Sequence, residues 1–344
     1  MRGTSMKRTR ATAAVAVGAA LTGVAACDTL PLAMGDVHAI VVSASPELWA
    51  EVGETAFTAL EGSVFTVRDE HAFRVTYAEP TDSAWAGLRR LRQLLLIGKA
   101  SDPWMAAPLA GLEEPVTPPQ VVQVDEVWAR QQLVTLLVLE EGTGSGEDAD
   151  AVREQLPDLF AIYNGQYRQW VVNRMFSTAR DTALARTLRD DHGFQLIVPE
   201  VYDYQVQDSV HIFRNDNPDP SELIRQFAIT WQSPVPESVG EDEIVEWRTR
   251  IADQYYDYPQ FVNRDVIFAG PGDFGGKEAY SVQGVWQNPP GAYPAAGPFI
   301  ARAITCAGQQ RLYLVDAWLY APSRDKYEYM IQLDEILNSF RCME

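Results

Sequence analysis

The sequence contains few residues of the types that hold metal ions. Its 344 residues include only three cysteines and four histidines. No two histidines lie three to five residues apart, and no two cysteines have the spacing of a zinc site. We therefore expect no metal centre and no cofactor.

Basic residues are also scarce, which limits the partners of this chain. The 28 Lys and Arg residues are outnumbered by 47 Asp and Glu, and the first 26 residues hold four of the basic residues and none of the acidic ones. The remainder therefore carries 24 basic and 47 acidic side chains, a net charge of −23. Such a charge repels nucleic acid and anionic lipid surfaces, so we expect the body of the protein to bind neither.

A long, strongly apolar run is missing as well. Residues 11–26 are uncharged but rich in Ala, Gly and Thr, whereas a membrane-spanning helix needs ~20 strongly apolar residues. A basic head precedes this stretch, made of Arg2, Lys7, Arg8 and Arg10. This order is typical of a secretory signal peptide, which we predict over residues 1–26.

The segment Val24-Ala25-Ala26-Cys27 resembles the lipobox of bacterial lipoproteins. The resemblance implies that acyl chains such as palmitate are attached to Cys27, which becomes the N-terminus of an exported protein. Two or three acyl chains hold a protein on a membrane without spanning it. Residues 27–36 would then be the lipidated cysteine and its tether, on the periplasmic face of the inner or the outer membrane. The alternative is an ordinary signal peptide with a chance cysteine.

Two interpretations of the remaining cysteines are open. The exported compartment is oxidising, so Cys306 and Cys342 can form a disulfide. They can equally be two separate buried thiols.

Residues 37–190 predict a first domain of strands followed by helices. Ser45-Pro46 is typical of a helix start, and Leu48, Val52, Ala56 and Leu60 recur as one helix face requires. A second predicted helix covers residues 82–90, and residues 142–146 read as a linker. The predicted strands are 37–42, 73–77, 93–97, 121–124 and 133–139. Residues 148–191 show no strand signal and favour one long helix or two helices near Pro157.

Residues 191–344 predict a second domain dominated by strands. A helix is predicted over residues 241–255, and another is expected to be capped by Ser323. Strand-like segments cover 194–202, 209–216, 224–233, 279–288, 297–306 and 311–322. The fold class is therefore α+β, with two domains that each pack helices on a sheet, the second sheet mainly antiparallel.

Several segments together resemble an uncharacterised family of bacterial lipoproteins, domain-of-unknown-function family 4837. They are "VHAIVVSASPELW", "VWARQQLVTLLV", "HGFQLIVPEVY", "VQGVWQN", "GPFIARAI" and "LVDAWLYAPSRDKYEYMIQLDEILNSF". Residues 193–199 and 336–340 also resemble, more loosely, the Mog1/PsbP-type fold, whose members are mostly binding or assembly factors. The family implies an exported lipoprotein of unknown activity and supplies no catalytic residue.

Aromatic residues cluster around the loop "QNPPGAYPAAGP" and suggest a binding surface for peptide or glycan. Its candidate residues are Trp286, Tyr293, Phe299, Asp316 and Tyr320, with Trp318 in the same cluster. Core packing is the alternative for the aromatic residues on strands. Asp316 interrupts the apolar strand LYLVDAWLY, and we expect it to face solvent or to pair with an arginine such as Arg302.

The sequence thus favours a lipid-anchored envelope protein that binds another envelope component, protein or glycan, without catalysis. Its alternatives are an envelope hydrolase with acids assembled only by the fold, or a purely structural lipoprotein. A shallow groove lined by Trp, Tyr and Pro would favour binding, and convergent carboxylates in a deep cleft would favour the hydrolase.

Overall fold

The computed structural model of the chain describes residues 30–343. The predicted signal peptide and the predicted lipidation site Cys27 lie outside these residues. Among the helices of the described region, none is long and apolar enough to cross a membrane.

The first half of the described chain, residues 30–190, is built around a five-stranded sheet in the order β4-β1-β5-β7-β6. Four strands are parallel, and β6 is an antiparallel edge. In chain order its first elements are β1 (Ala39–Ser43), α1 (Pro46–Glu61), β2 (Ser63–Val64), β3 (Glu70–His71), β4 (Arg74–Tyr77), α2 (Trp85–Leu88), β5 (Gln93–Lys99), α3 (Ala106–Leu109), β6 (Gln120–Asp125), β7 (Leu133–Leu139), α4 (Ser145–Met175) and α5 (Thr182–Thr187). A π-helical turn, Leu188–His192, leads into the second half.

Helices α1 and α4 cover one face of this sheet. Helix α1 begins where the sequence predicts, because the Ser45 side chain accepts a hydrogen bond from the Leu48 amide at 3.2 Å. Helix α4 is one long helix that contains Pro157. It begins at Ser145, so the predicted linker over residues 142–146 ends earlier than expected. The predicted helix over residues 82–90 is only the single turn α2.

The second half, residues 191–343, holds a seven-stranded sheet in the order β12-β13-β14-β15-β11-β10-β9, antiparallel throughout. Its elements are β8 (Phe194–Gln195), β9 (Asp203–Gln207), β10 (Val210–Asn215), β11 (Ile224–Gln232), α6 (Glu241–Tyr255), β12 (Phe261–Phe274), β13 (Lys277–Gln287), β14 (Ala296–Cys306), β15 (Arg311–Tyr320), α7 (Tyr327–Asn338) and β16 (Arg341–Cys342). Helix α7 packs on one face of the sheet and α6 on the other. The predicted α+β class is confirmed.

The prediction that Ser323 caps the last helix is wrong. Helix α7 begins at Tyr327, and its N-cap residue Lys326 makes no capping bond with its own side chain. Instead, the Lys326 amide donates to the Glu70 carboxylate at 2.6 Å, and the Lys326 ammonium lies 2.8 Å from the same carboxylate. The Glu70 carboxylate of the first half therefore accepts a hydrogen bond at the start of α7, where the sequence predicts a cap by Ser323.

The two halves are joined along α4 and α7. The Arg168 guanidinium of α4 lies 2.6 Å from Asp334 and 3.2 Å from Glu335 of α7. The rings of Tyr167 and Tyr327 stack with their centroids 5.8 Å apart. The domain boundary near residue 190 remains a prediction.

The C-terminus is fastened to the second sheet. A disulfide joins Cys306, at the end of β14, to Cys342, with the two Cα atoms 6.0 Å apart. Strand β16 also pairs with β8, where Cys342 faces Phe194. Residues 341–342 are thus held both by the disulfide and by β-sheet hydrogen bonding to β8.

The predicted tether is part of the fold from its fourth residue onward. Residues 30–35 lie in an extended conformation against the first sheet, with bridges from Leu32 to Arg130 and from Met34 to Leu91. The tether over residues 27–36 stays a prediction. Its part from residue 30 onward pairs with the backbone of the turns before β5 and β7.

A candidate ligand-binding groove

A groove of about 660 Å³ opens at one end of the second sheet. It lies where β13 and β15 end, between the loops at residues 219–221, 258–260 and 288–295. Five aromatic side chains line it, and we name it the aromatic groove after them: Tyr258, Trp286, Tyr293, Trp318 and Tyr320. Three prolines complete its walls: Pro220, Pro259 and Pro289.

A glycine on the intervening strand fixes the position of Trp286. Gly297 of β14 lies directly opposite Trp286, and a Cβ atom there would collide with the Leu319 carbonyl and with the indole. Without that Cβ, the Trp286 Nε1 crosses β14 and donates to the Leu319 carbonyl at 3.1 Å. The two indoles of Trp286 and Trp318 then meet edge to face, with ring centroids 5.4 Å apart. The floor of the groove is therefore held by backbone hydrogen bonding and ring packing.

The rim differs from the floor in its exposure. Trp286 and Trp318 are buried, whereas Tyr293 is 77% exposed and Tyr258 54% exposed. The loop that carries Tyr293 is closed by its own hydrogen bonds, since the Asn288 side chain donates to the Tyr293 carbonyl at 2.7 Å and the Asn288 amide donates to Ala295 at 2.9 Å. The groove thus has a rigid floor and accessible tyrosines at its edge.

Three buried polar atoms of groove residues have no partner among residues 30–343: Gln260 Nε2, Asn288 Oδ1 and Trp318 Nε1. Gln260 is 1% exposed, and its Oε1 accepts from Arg248 Nη2 at 2.6 Å. This bond fixes which end of the amide is the oxygen, so the unpartnered atom is a donor. An unsatisfied buried donor or acceptor costs about 1–3 kcal/mol, which a ligand can relieve.

A buried charged network lies behind the groove and positions Gln260. Arg248 of α6 and Asp316 of β15 are both fully buried, with Nε and Oδ1 2.9 Å apart. The Tyr256 hydroxyl donates to the other Asp316 oxygen at 2.7 Å. The Arg248 guanidinium also lies 4.1 Å from the Phe299 ring centroid. Helix α6, through Arg248 and its C-cap residue Tyr256, therefore meets β15 at one carboxylate, and the same arginine holds the Gln260 amide.

Burial governs the protonation of this network. It raises the pKa of Asp316, an effect that the Arg248 charge and the hydrogen bonds from Tyr256 and Arg248 oppose. Burial, followed by the Asp316 charge, raises the pKa of Tyr256 well above its usual value. The Tyr256 phenol therefore keeps its proton and stays a donor to Asp316.

The structure brings three of the five sequence candidates to the aromatic groove: Trp286, Tyr293 and Tyr320. The other two, Phe299 and Asp316, are buried beneath it and form no surface, which corrects the prediction for both. Asp316 pairs with an arginine as expected, but with Arg248 and not with the suggested Arg302. Asp316 lies opposite Ala301, so Arg302 points to the other face of the sheet and instead bonds Asp334 at 2.6 Å.

Two further groove residues lie in a loop that has no strong sequence pattern. Tyr258 and Gln260 follow α6 in a turn, and only the folded sheet brings them beside β15. Trp318 could be grouped with Asp316 and Tyr320 from the period-two alternation of a strand. The partnership of Gln260 with Arg248 has no such pattern.

A second cavity, of about 530 Å³, lies between the two halves and holds the acids that a hydrolase would need. Three of the five acids that line it pair with basic residues of the other half. Glu70 lies 2.8 Å from Lys326, Asp325 lies 3.0 Å from Arg74, and Glu328 lies 3.7 Å from Arg174. These three carboxylates join the two halves. Within residues 30–343 there is also no group of three or more His, Cys, Asp or Glu placed to hold a metal ion.

The groove and its network lie within one recognised region. Residues 181–339 match DUF4837, a domain of unknown function. The family resemblance predicted from sequence is thereby confirmed over these residues, although the sequence segments had suggested nearly the whole exported chain. No curated protein matches the chain.

Two solved structures show limited similarity. The Ran-binding protein Mog1p of Saccharomyces cerevisiae is 11% identical, over 44% of this chain and 91% of that chain, with a TM-score of 0.29. LpqN, which is involved in cell envelope biogenesis of Mycobacterium tuberculosis, is 10% identical over 44% of this chain and 83% of its own, also with a TM-score of 0.29. Likeness at this level transfers neither protein's role to the present chain.

Proposed function

We propose that this chain is an exported, lipid-anchored envelope protein that binds an extended, apolar, proline-containing segment of a partner protein in the aromatic groove. The observation that carries the proposal is the aromatic groove itself, whose lining includes two unpartnered donors, Gln260 Nε2 and Trp318 Nε1, and one unpartnered acceptor, Asn288 Oδ1.

The chemistry of the lining favours a peptide. Aromatic-lined grooves bind proline-rich segments in the polyproline II conformation, because the rings pack on the prolines and the ordering cost is low. An extended peptide offers a backbone carbonyl for the Gln260 amide and a backbone N–H for the Asn288 oxygen. Among residues 30–343, Asp219 is the only charged residue of the lining, and its carboxylate already accepts from the Ser221 amide and hydroxyl. An uncharged ligand segment therefore fits best.

The anchor rests on the sequence. The order of basic head, apolar stretch, small residues and Cys27 supports export and acylation. Palmitate that follows the wild-type polypeptide but not a Cys27→Ser variant would support the anchor. Palmitate that follows both would contradict it.

Binding is tested with a fluorescently labelled, end-blocked proline-rich peptide and the full exported chain. We expect saturable anisotropy, weakened about ten-fold by Tyr258→Ala or Tyr293→Ala, since truncating an aromatic anchor costs more than about 1 kcal/mol. Phe268→Ala is the matched control, because Phe268 is 62% exposed on β12 and does not line the groove. Equal weakening by all three variants, or no saturable binding, would contradict the proposal. Competition by a chitin oligosaccharide but not by unlabelled peptide would assign the groove to glycan.

A further inference from the structure

The segment that leads out of the first 29 residues is docked on the first sheet. The Ala33 amide donates to the Arg130 carbonyl at 2.9 Å, and the Arg130 amide donates to the Pro31 carbonyl at 2.8 Å. Met34 makes a similar pair, donating to Arg90 at 3.2 Å and accepting from the Arg92 amide at 2.8 Å. These partners precede β5 and β7, so the segment follows the edge at which the parallel strands begin.

The docked segment presents a row of apolar side chains to solvent. Leu30 is 37% exposed, Leu32 is 52% exposed and Met34 is 56% exposed, while Ala33 between them is buried. Pro31 is exposed as well, so Ala33 is the one buried side chain among residues 30–36. Three large apolar side chains thus project from one edge in a stretch of five residues, where burial against another apolar phase would be favourable.

Arginines surround this row and lack acidic partners. Four arginines have no carboxylate oxygen of the described chain within 4.0 Å, the distance limit for an ion pair: Arg89, Arg90, Arg92 and Arg130. Two of them contact the docked backbone, since Arg130 Nε donates to Leu30 at 3.1 Å and Arg92 Nε to Gly35 at 3.4 Å. The acids near this edge include Asp36, Asp125, Glu126 and Glu328, so charges of both signs are close to balance here, whereas the exported chain as a whole is strongly acidic.

We infer that this edge, formed by Leu30, Leu32 and Met34 with Arg90, Arg92 and Arg130, lies on an anionic phospholipid surface. The inference rests on the proposed lipid anchor. Leu30 is three residues from Cys27, a reach of at most about 11 Å, so an acylated Cys27 brings this edge to the bilayer. The apolar side chains enter the boundary between headgroups and acyl chains, and the arginines contact lipid phosphates.

The overall charge strengthens this orientation. An anionic surface repels a body of net charge −23 and repels least an edge whose charges are near balance and whose arginines have no acidic partner, so rotation of the body away from this edge is unfavourable. An anionic lipid surface would then contact the body at this edge alone, although the sequence predicts that the body as a whole avoids such a surface.

The test places the photo-crosslinking residue p-benzoylphenylalanine at position 32 of the full acylated protein. The protein is reconstituted in phosphatidylcholine vesicles with and without phosphatidylglycerol and is then irradiated. We expect phospholipid adducts at position 32 at least ten-fold above those of the same probe at Phe268, which is 62% exposed in the second half. With phosphatidylglycerol present, the combination Arg90→Glu, Arg92→Glu and Arg130→Glu should reduce the adducts at least five-fold. The matched control changes three other exposed arginines, Arg68→Glu, Arg186→Glu and Arg250→Glu, and should leave the adducts unchanged.

Palmitate labelling of the same samples separates failure of the anchor from failure of this surface. Labelled protein without lipid adducts at position 32, or with adducts to a second protein instead, would overturn the surface and leave the anchor standing. Unlabelled protein would overturn the anchor, and arginine-dependent lipid adducts at position 32 would then support the surface without it. Adducts of equal yield at positions 32 and 268 would overturn the orientation.

Discussion

The two sheets of this molecule satisfy their buried polar groups in different ways. In the first half, single side chains bond to the main chain. The Ser43 hydroxyl donates to the Ala78 carbonyl at 2.7 Å, and the Tyr163 hydroxyl donates to the Leu94 carbonyl at 3.1 Å. In the second half, Arg248 and Tyr256 both donate hydrogen bonds to Asp316, and all three side chains are buried. The first half buries hydroxyls that bond singly to carbonyls and keeps its ion pair of Lys99 and Asp148 partly exposed, whereas the second half encloses a charged network completely.

This difference indicates where the specialised surface lies. An isolated hydroxyl bonded to a carbonyl supports only its own neighbourhood. A buried ion pair has a large desolvation cost and requires several elements to converge with good geometry. Here the convergence also holds Gln260, a residue of the aromatic groove. The second half therefore depends more strongly on one precise placement of its elements, and it is also the half that contains the aromatic groove.

The largest expected effect is the loss of one member of the charged network. Asp316→Ala should lower the free energy of unfolding by about 3–5 kcal/mol, because Arg248 is left buried without its counter-charge. Urea unfolding followed by circular dichroism measures this loss. The double variant Arg248→Met and Asp316→Leu should be less damaged than Asp316→Ala, and a double variant at least as unstable as the single one would contradict this interpretation of the network.

Reduction of the disulfide should have the next largest effect. The link between Cys306 and Cys342 spans 36 residues of sequence, for which chain-entropy arguments give about 2–4 kcal/mol. Hydrogen exchange after reduction should show lost protection in β8 and β16, with the parallel sheet unaffected. Equal loss in both halves would show that the two sheets unfold as one unit.

Acid should destabilise the second half through His211. Its ring Nδ1 lies 2.8 Å from the Tyr204 hydroxyl, and burial, together with the neighbouring His192, lowers the pKa of His211 from 6.5 to about 4. The unfolded chain therefore binds a proton that the folded chain does not between these two pH values. Stability is fully present above about pH 6.5 and falls as the pH is lowered toward 4, by about 1–3 kcal/mol.

The measurement is the free energy of unfolding of His211→Phe and of the wild type across this pH range. The variant should show a shallower acid dependence of the free energy of unfolding. His71→Gln is the control, because His71 is exposed on β3. An unchanged dependence in His211→Phe would show that other groups account for the acid sensitivity of the fold.

The smallest expected effect belongs to the first sheet. Ser43→Ala removes one hydroxyl and leaves the Ala78 carbonyl unsatisfied, which should cost about 1–2 kcal/mol of unfolding free energy. The same denaturation experiment measures it. A cost as large as that of Asp316→Ala would remove the contrast between the two halves.

The sequence predicts correctly those elements whose residue pattern lies within the element itself. Strand β7 and helix α6 have the predicted bounds, because a strand buried on both faces is a continuous apolar run and an amphipathic helix repeats every turn. Strand β12 was missed because it is an exposed edge strand containing Gly270, Pro271 and Gly272, which conceal any alternation.

The candidate site was only partly readable for a different reason. Trp286, Tyr293 and Tyr320 are found from composition, since aromatic residues gather around one loop. The burial of Asp316, its pairing with Arg248 and the recruitment of Gln260 depend on strand register and on the placement of α6. Long-range pairing sets these contacts, and no periodicity in the sequence encodes them.

The most direct test of binding in the aromatic groove is a titration of ¹⁵N-labelled protein with the end-blocked proline-rich peptide, followed by the indole N–H signals. Binding in the groove should shift the signals of Trp286 and Trp318 and leave those of Trp104 and Trp128 in the first half unchanged. Signals of Trp286 and Trp318 that stay fixed at saturating peptide, or equal shifts at all four tryptophans, would contradict it.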